Sequence, residues 1–213
     1  MTIPLNFNEA NEAALLISSY NAIQDKSQLE IIIDNTAKNE ITKLIVENLS
    51  LDLTYGAFSI QNLFKIQKPS GIFYICQCLF DFGLNFGGGK YDRSFRHRYN
   101  YDTIGFGITK VDLGKTILRP KTFADKLVGH FIHSTIQIND CKTFNERFCI
   151  VSDRKDNIEK YFDSDFVNTI CKYEGLNLII NESKLFLSFE NHMEEKQARA
   201  VEDIFSSFKY WSE

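Results

Sequence analysis

Apolar positions change their period twice along this chain, from helical spacing to partial alternation and back. The first 50 residues read as helical. Asn8 is placed to cap a helix whose apolar face would use Ala13, Leu16, Ile17 and Tyr20. Ser27-Gln28-Leu29-Glu30 then matches the capping box, in which Ser27 and Glu30 would satisfy each other's orphan backbone donors. Leu29, Ile32, Ile33, Ala37, Ile41, Leu44, Ile45 and Leu49 recur at helical spacing behind it, which predicts a second helix. The β-branched run Ile31-Ile32-Ile33 leaves an alternative, a short strand before a helix starting near Thr36.

From Leu51 the pattern alternates. Ala57 to Phe64, Gly71 to Gly83 and Tyr99 to Lys110 are rich in Ile, Phe, Tyr and Cys and predict strands of an antiparallel sheet. Gly87-Gly88-Gly89 sits between the second and third, as a hairpin connection would. Pro120 predicts the start of a short helix through Thr122 to about Phe131, and Phe148 to Ser152 another strand. Asp156 opens a helix with Ile158, Tyr161, Phe162, Phe166 and Ile170 on one face, and Gly175 closes it. Leu176 to Ile180 and Lys184 to Phe189 alternate around Asn181-Glu182-Ser183, a hairpin. Asn191, with Glu194 three residues on, caps a final amphipathic helix with Ala198, Val201, Ile204, Phe205 and Phe208 on its apolar face.

Strands and helices are segregated, so the predicted class is α+β: an antiparallel sheet with flanking helices and a C-terminal amphipathic helix. A helical segment over residues 1–50 is expected to pack on a main domain over 51–213. At 213 residues the chain buries enough surface to need no disulfide or metal staple.

Composition narrows the function classes. A net charge of −4 argues against nucleic-acid binding by the whole surface, though not by a local basic patch. The five cysteines, Cys76, Cys78, Cys141, Cys149 and Cys171, are odd in number, and those in Ile75-Cys76-Gln77-Cys78-Leu79 and Phe148-Cys149-Ile150 sit in apolar runs. They read as small buried hydrophobes in a reducing compartment. Residues 1–12 lack the basic start and apolar run of a signal peptide, and no apolar stretch approaches about 20 residues. The expected location is cytoplasmic.

Three constellations bear on chemistry. Gly87-Gly88-Gly89-Lys90 has the glycines and lysine of a phosphate cradle, but Tyr91 follows where a P-loop needs Ser or Thr at the start of a helix. It reads as a hairpin tip. Residues 86–101 hold Lys90, Arg93, Arg96 and Arg98 against Asp92 alone, a local charge of +3. Tyr91, Phe95, Tyr99 and Tyr101 interleave with those cations, and His97 lies among them. Cations with aromatic stacking surfaces suit a single-stranded nucleic acid or a phosphorylated small molecule. The plainer reading is a solvated loop whose arginines pair with residues 151–213, where 13 acids against 8 bases give −5.

The third is His130-Phe131-Ile132-His133, whose spacing puts both imidazoles on one helical face, with Cys141 or Cys149 available to complete a zinc site for a metal-dependent hydrolase. No CxxC or HExxH accompanies the pair, and Cys76-x-Cys78 is read as turning its sulfurs to opposite faces of a strand. There is no Gly-x-Ser-x-Gly elbow and no carboxylate pair that stands out. Phe208, Tyr210 and Trp211 at the C-terminal end are explained first by core packing.

Several pieces together carry a resemblance: Phe80-Asp81-Phe82, Gly88-Gly89-Lys90, Thr103-Ile104-Gly105-Phe106, Leu118-Arg119-Pro120 and the FxxxF-like strand Phe144 to Phe148. The helix from Asp156 to Tyr173 and the hairpin from Leu176 to Phe189 follow in order. Over residues 62–189 the chain thus resembles an uncharacterised bacterial domain family whose members are often membrane-tethered, a feature this sequence departs from. The resemblance implies one compact domain and carries over no catalytic residue. The expected function is a non-enzymatic binding module with an unknown protein partner and no cofactor. Alternatives are an anionic-ligand site at Lys90, Arg93, Arg96, His97 and Arg98, or the hydrolase using His130 and His133.

Overall fold

A computed structural model describes residues 7–23, 29–49, 56–88, 92–122, 136–138, 141–189 and 194–212; for 7–13, 15, 56, 82–88, 92–99 and 194–195 it describes the backbone alone. Six helices and eight strands lie in these residues. They run α1 (Phe7–Ala22), β1 (Leu29–Ile32), α2 (Asn35–Leu49), β2 (Gly56–Lys68), β3 (Gly71–Gly88), β4 (Asp92–Ile108) and β5 (Lys115–Pro120). Then come α3 (Lys142–Arg147), β6 (Phe148–Ser152), α4 (Lys155–Tyr161), α5 (Ser164–Ile170), β7 (Leu176–Asn181), β8 (Lys184–Phe189) and α6 (Glu194–Ser207). The strands form one antiparallel sheet in the order β1-β2-β3-β4-β8-β7-β5-β6, with helices on its faces, so the fold is α+β as expected.

One face is helix-covered across its width. α6 buries Ala198, Val201, Ile204 and Phe205 against Phe73 and Ile75, while Ile158 of α4 and Phe166 and Ile170 of α5 cover Leu118, Ile150, Leu178 and Ile180. On the opposite face α2 buries Ile41 and Ile45 in a smaller cluster with Phe58, Ile60, Leu63, Cys76, Cys78, Ile104, Phe106 and Phe186. A bulge at Gln61 makes both clusters possible. The register steps from Ile60↔Cys78 to Asn62↔Gln77, so Leu63 keeps the α2 face while Phe64 and Ile66 turn to the α6 face. Lys38 of α2 donates to the bulge carbonyl of Gln61 at 2.7 Å, which ties the helix to the irregularity.

Several sequence expectations are corrected. Residues 29–32 are a strand, so the capping-box reading fails: Glu30 pairs with Lys65 at 3.1 Å, and Asp34 caps α2 by accepting from the amides of Thr36 and Ala37. β1 joins the sheet beside β2, so residues 29–49 are a strand and a helix rather than helix throughout. In α1 the inward positions are Leu16 and Ser19, with Ile23 buried just past its end, while Ile17 is 60% exposed and Tyr20 lies outward too. A hydrogen bond from Gln77 Nε2 to Ser19 Oγ at 2.5 Å lets a serine occupy the buried stripe that apolar spacing assigned to isoleucine.

The long helix expected from Asp156 breaks at Phe162. Asp163 accepts the amide of Phe166 and starts α5 as a new helix, and Gly175 (φ +65°) leads into β7 rather than closing α5. Pro120 ends a strand instead of opening a helix, and Phe144 lies in α3, one element ahead of Phe148. The predicted helix to Phe131 and the caps at Ser27 and Asn191 fall outside the described residues. The strand readings over 57–64, 71–83, 99–110 and 148–152, the final hairpin and the buried stripe of α6 all hold.

Candidate interaction surfaces

The basic segment is not a loop. Arg93, Arg96, His97 and Arg98 lie in β4, paired with Gly87, Leu84, Gly83 and Phe82 of β3, and Lys90 falls outside the described residues. Arg93 and His97 hold odd register positions of the strand, and Arg96 and Arg98 even ones. Among the described residues, β2 pairs with β3 as far as Gly56↔Phe82, and β8 meets β4 only at Gly105 to Ile108. From Gly83 and His97 outward, the two strands pair only with each other among the described residues.

The metal hypothesis gains no support. His130 and His133 lie outside the described residues, and no group of three or more His, Cys, Asp or Glu among the described residues is placed to hold a metal ion. The opposite-face reading of Cys76 and Cys78 is wrong. Residues two apart on a strand share a face, and both sulfurs lie in the α2-side cluster. Burial pushes both thiols well above their ordinary range, which keeps them from the thiolate form a nucleophile needs. All five cysteines carry free thiols.

Clusters of polar groups elsewhere serve the fold. Among the described residues, a cleft of about 230 Å³ lies between Lys121, Glu146, Arg147 and Glu174. Its cations, however, are engaged. Arg147 donates to the carbonyls of Cys171 and Tyr173 at the end of α5, and Lys121 donates to Asn145 O. Asp163 shows the same pattern. Partial burial raises its pKa, but the hydrogen bond from Lys209 and the amide of Phe166 outweigh that and hold it below the usual value. Tyr173 is pushed up by burial and by its hydrogen bond to Asp203, which ties α5 to α6.

The sequence reading missed a different surface. On the α2 side of the sheet, Val151, Ile117, Ile179, Phe186, Phe106 and Tyr74 stand in one cross-strand row. Tyr74, Phe106 and Phe186 form successive stacked pairs with ring centroids 5.9 and 5.2 Å apart, and belong to the cluster beneath α2. The row then continues beyond that cluster. Ile117 is 50% exposed, Val151 44%, and Ile179 half-buried. Lys115 and Lys184 flank Asn181 in the neighbouring row, and Arg119 stands two residues beyond Ile117. Asn48, at the end of α2, accepts from Asn181 at 2.7 Å, which marks how far the helix reaches.

This surface escaped notice because β5 inverts the usual pattern. Its buried side carries Thr116, bonded to Leu113 O and to Ser152 Oγ, while its exposed side carries Ile117. Among the described residues no helix is long and apolar enough to cross a membrane. Neither a family model nor a curated protein matches this chain. A solved structure, that of the mycobacterial trehalose monomycolate transport factor A, TtfA, is similar over 75% of this chain and 80% of its own, at 12% identity and a TM-score of 0.32.

Proposed function

We propose that this chain is a binding module without chemistry of its own, acting through the exposed half of the α2-side sheet face. The observation that carries the reading is the cross-strand row itself, apolar along its length, covered by a helix at one end and open at Ile117 and Val151. Scattered exposed apolar residues are ordinary, whereas adjacent ones on a flat sheet mark a contact surface. Membership of the uncharacterised bacterial family resembled over residues 62–189 belongs to the same proposal, as does a cytoplasmic location, which five free thiols suit.

Chemical cross-linking in an extract of the native cells, with wild type against Ile117→Asp/Val151→Asp, tests the reading. A cross-linked partner recovered with wild type and lost with the double variant supports it. Equal recovery contradicts it.

A second reading rests on the paired β3–β4 segment that carries the basic residues. We propose that Arg93, Arg96, His97 and Arg98, with Lys90 between the two strands in sequence, bind an anionic ligand there. Replacing Arg93, Arg96 and Arg98 with Ala should weaken binding of a labelled single-stranded oligonucleotide and lower its salt slope by about 0.7 per phosphate contact removed. Binding that ignores salt would exclude this reading.

A further inference from the structure

The open half-face has a shape, a charge and a limit on how it can be used, and together they specify an occupant. β5 is hydrogen-bonded on both sides, to β6 and to β7, so the backbone at Ile117 has no pairing groups to offer an added strand. An occupant must therefore pack side chains onto the face. Three strands at about 4.8 Å spacing spread Val151, Ile117 and Ile179 over about 10 Å, the length of two turns of an α-helix laid across the strands. The same sheet face already receives a helix of this kind, since α2 packs on the neighbouring strands with Ile41 and Ile45.

Charge narrows the choice further. Lys115, Lys184 and Arg119 border Ile117 and Ile179 on this face, and the three register rows hold no acidic residue. Among the described residues, two acids lie at the margins of these rows. Asp153 follows β6 and accepts the backbone amide of Lys115, and Glu182 sits in the β7–β8 turn. A second copy packed face to face would oppose cation to cation, which disfavours self-association through this surface.

We infer that the half-face formed by Val151, Ile117 and Ile179 docks an amphipathic helix of a partner protein, with acidic residues flanking the helix's apolar stripe. This rests on the reading of the same surface as the contact face. It adds the structural class and the charge of what binds. The apolar stripe lies along the Val151–Ile117–Ile179 row, and its acidic flank meets Lys115 and Lys184.

The test uses two labelled helical peptides of roughly five turns. Both carry leucines at i, i+3, i+4 and i+7, one flanked by glutamates and the other by lysines. Binding is followed by fluorescence anisotropy with the full chain. Wild type is expected to bind the glutamate-flanked peptide saturably and at least about tenfold tighter than its lysine counterpart, the equivalent of about 1.4 kcal/mol. Ile117→Asp/Val151→Asp should lose that binding, and Lys115→Glu/Lys184→Glu should reverse the preference. The reversal variant keeps the apolar row, so its result does not depend on how the aspartates are tolerated. No saturable binding of the glutamate-flanked peptide by wild type, or an unchanged preference in the reversal variant, overturns the inference. If both peptides fail while the cross-linked partner is still lost with the aspartate variant, the contact face stands and the helical class falls.

Discussion

At Gly107 the indole of Trp211 fills the space that a side chain would need: a Cβ there would lie 2.2 Å from the ring atom Cζ3. Gly71, at φ +131°, closes the other wall, where a Cβ would meet the Trp211 Cβ at 2.4 Å. The indole is fully buried against Phe73, Phe205 and Phe208, and its Nε1 donates to Phe205 O at 2.7 Å. The neighbouring backbone is held as well, Ser212 donating to Ile108 O and accepting from Ile72 N. Gly107→Ala should therefore cost about 1–3 kcal/mol through overpacking, and Trp211→Ala about 3–5 kcal/mol through the cavity it leaves, both read from urea denaturation. A second residue-scale expectation concerns pH. Because the Asp163 carboxyl is held below its usual value, its contribution is present above about pH 4 and is lost as pH falls through the lowered folded value. Asp163→Asn keeps a capping oxygen but removes the charge facing Lys209, so its stability should fall less steeply on acidification than that of wild type. Superimposable acid-unfolding curves would show that the pair contributes nothing.

The single strand β5 holds the sharpest contrast between its two sides. Leu118 is fully buried beneath the helices of the α6 face, and its neighbour Ile117 looks out of the other. Leu118→Asp should cost more than about 4 kcal/mol, since it buries an unpaired carboxylate, whereas Ile117→Asp should stay within about 1 kcal/mol, the span of strand propensity. Comparable losses in thermal denaturation would contradict the face assignment. The same strand shows where sequence reading stops. Alternation in β3, β7 and β8, and the stripe of α6, were legible because apolar residues there mark the buried side. In β5 a hydrogen-bonded threonine points inward and an isoleucine outward, so the rule misleads, and Pro120, whose position reads as a helix start, ends the strand. α1 repeats the lesson at Ser19. The α4–α5 break was equally hidden, because the apolar spacing continues through Phe162 while the Asp163 side chain restarts the helix.

At the scale of the molecule, the basic-aromatic cluster was found by composition, but its form was not. It is strand, paired residue by residue with β3, because register is a tertiary property. The open half-face was invisible for a related reason: it exists only when β6, β5 and β7, drawn from three parts of the chain, align Val151, Ile117 and Ile179. Its role as a contact surface is the central claim. The most direct measurement places a photoreactive phenylalanine derivative at position 117, at 151, and at 33 as a control, since Ile33 is 82% exposed but stands apart from the row. After irradiation in living cells, the account predicts a discrete covalent adduct from 117 and 151 and none from 33. Adducts absent at 117 and 151, or equally abundant at all three positions, would contradict it.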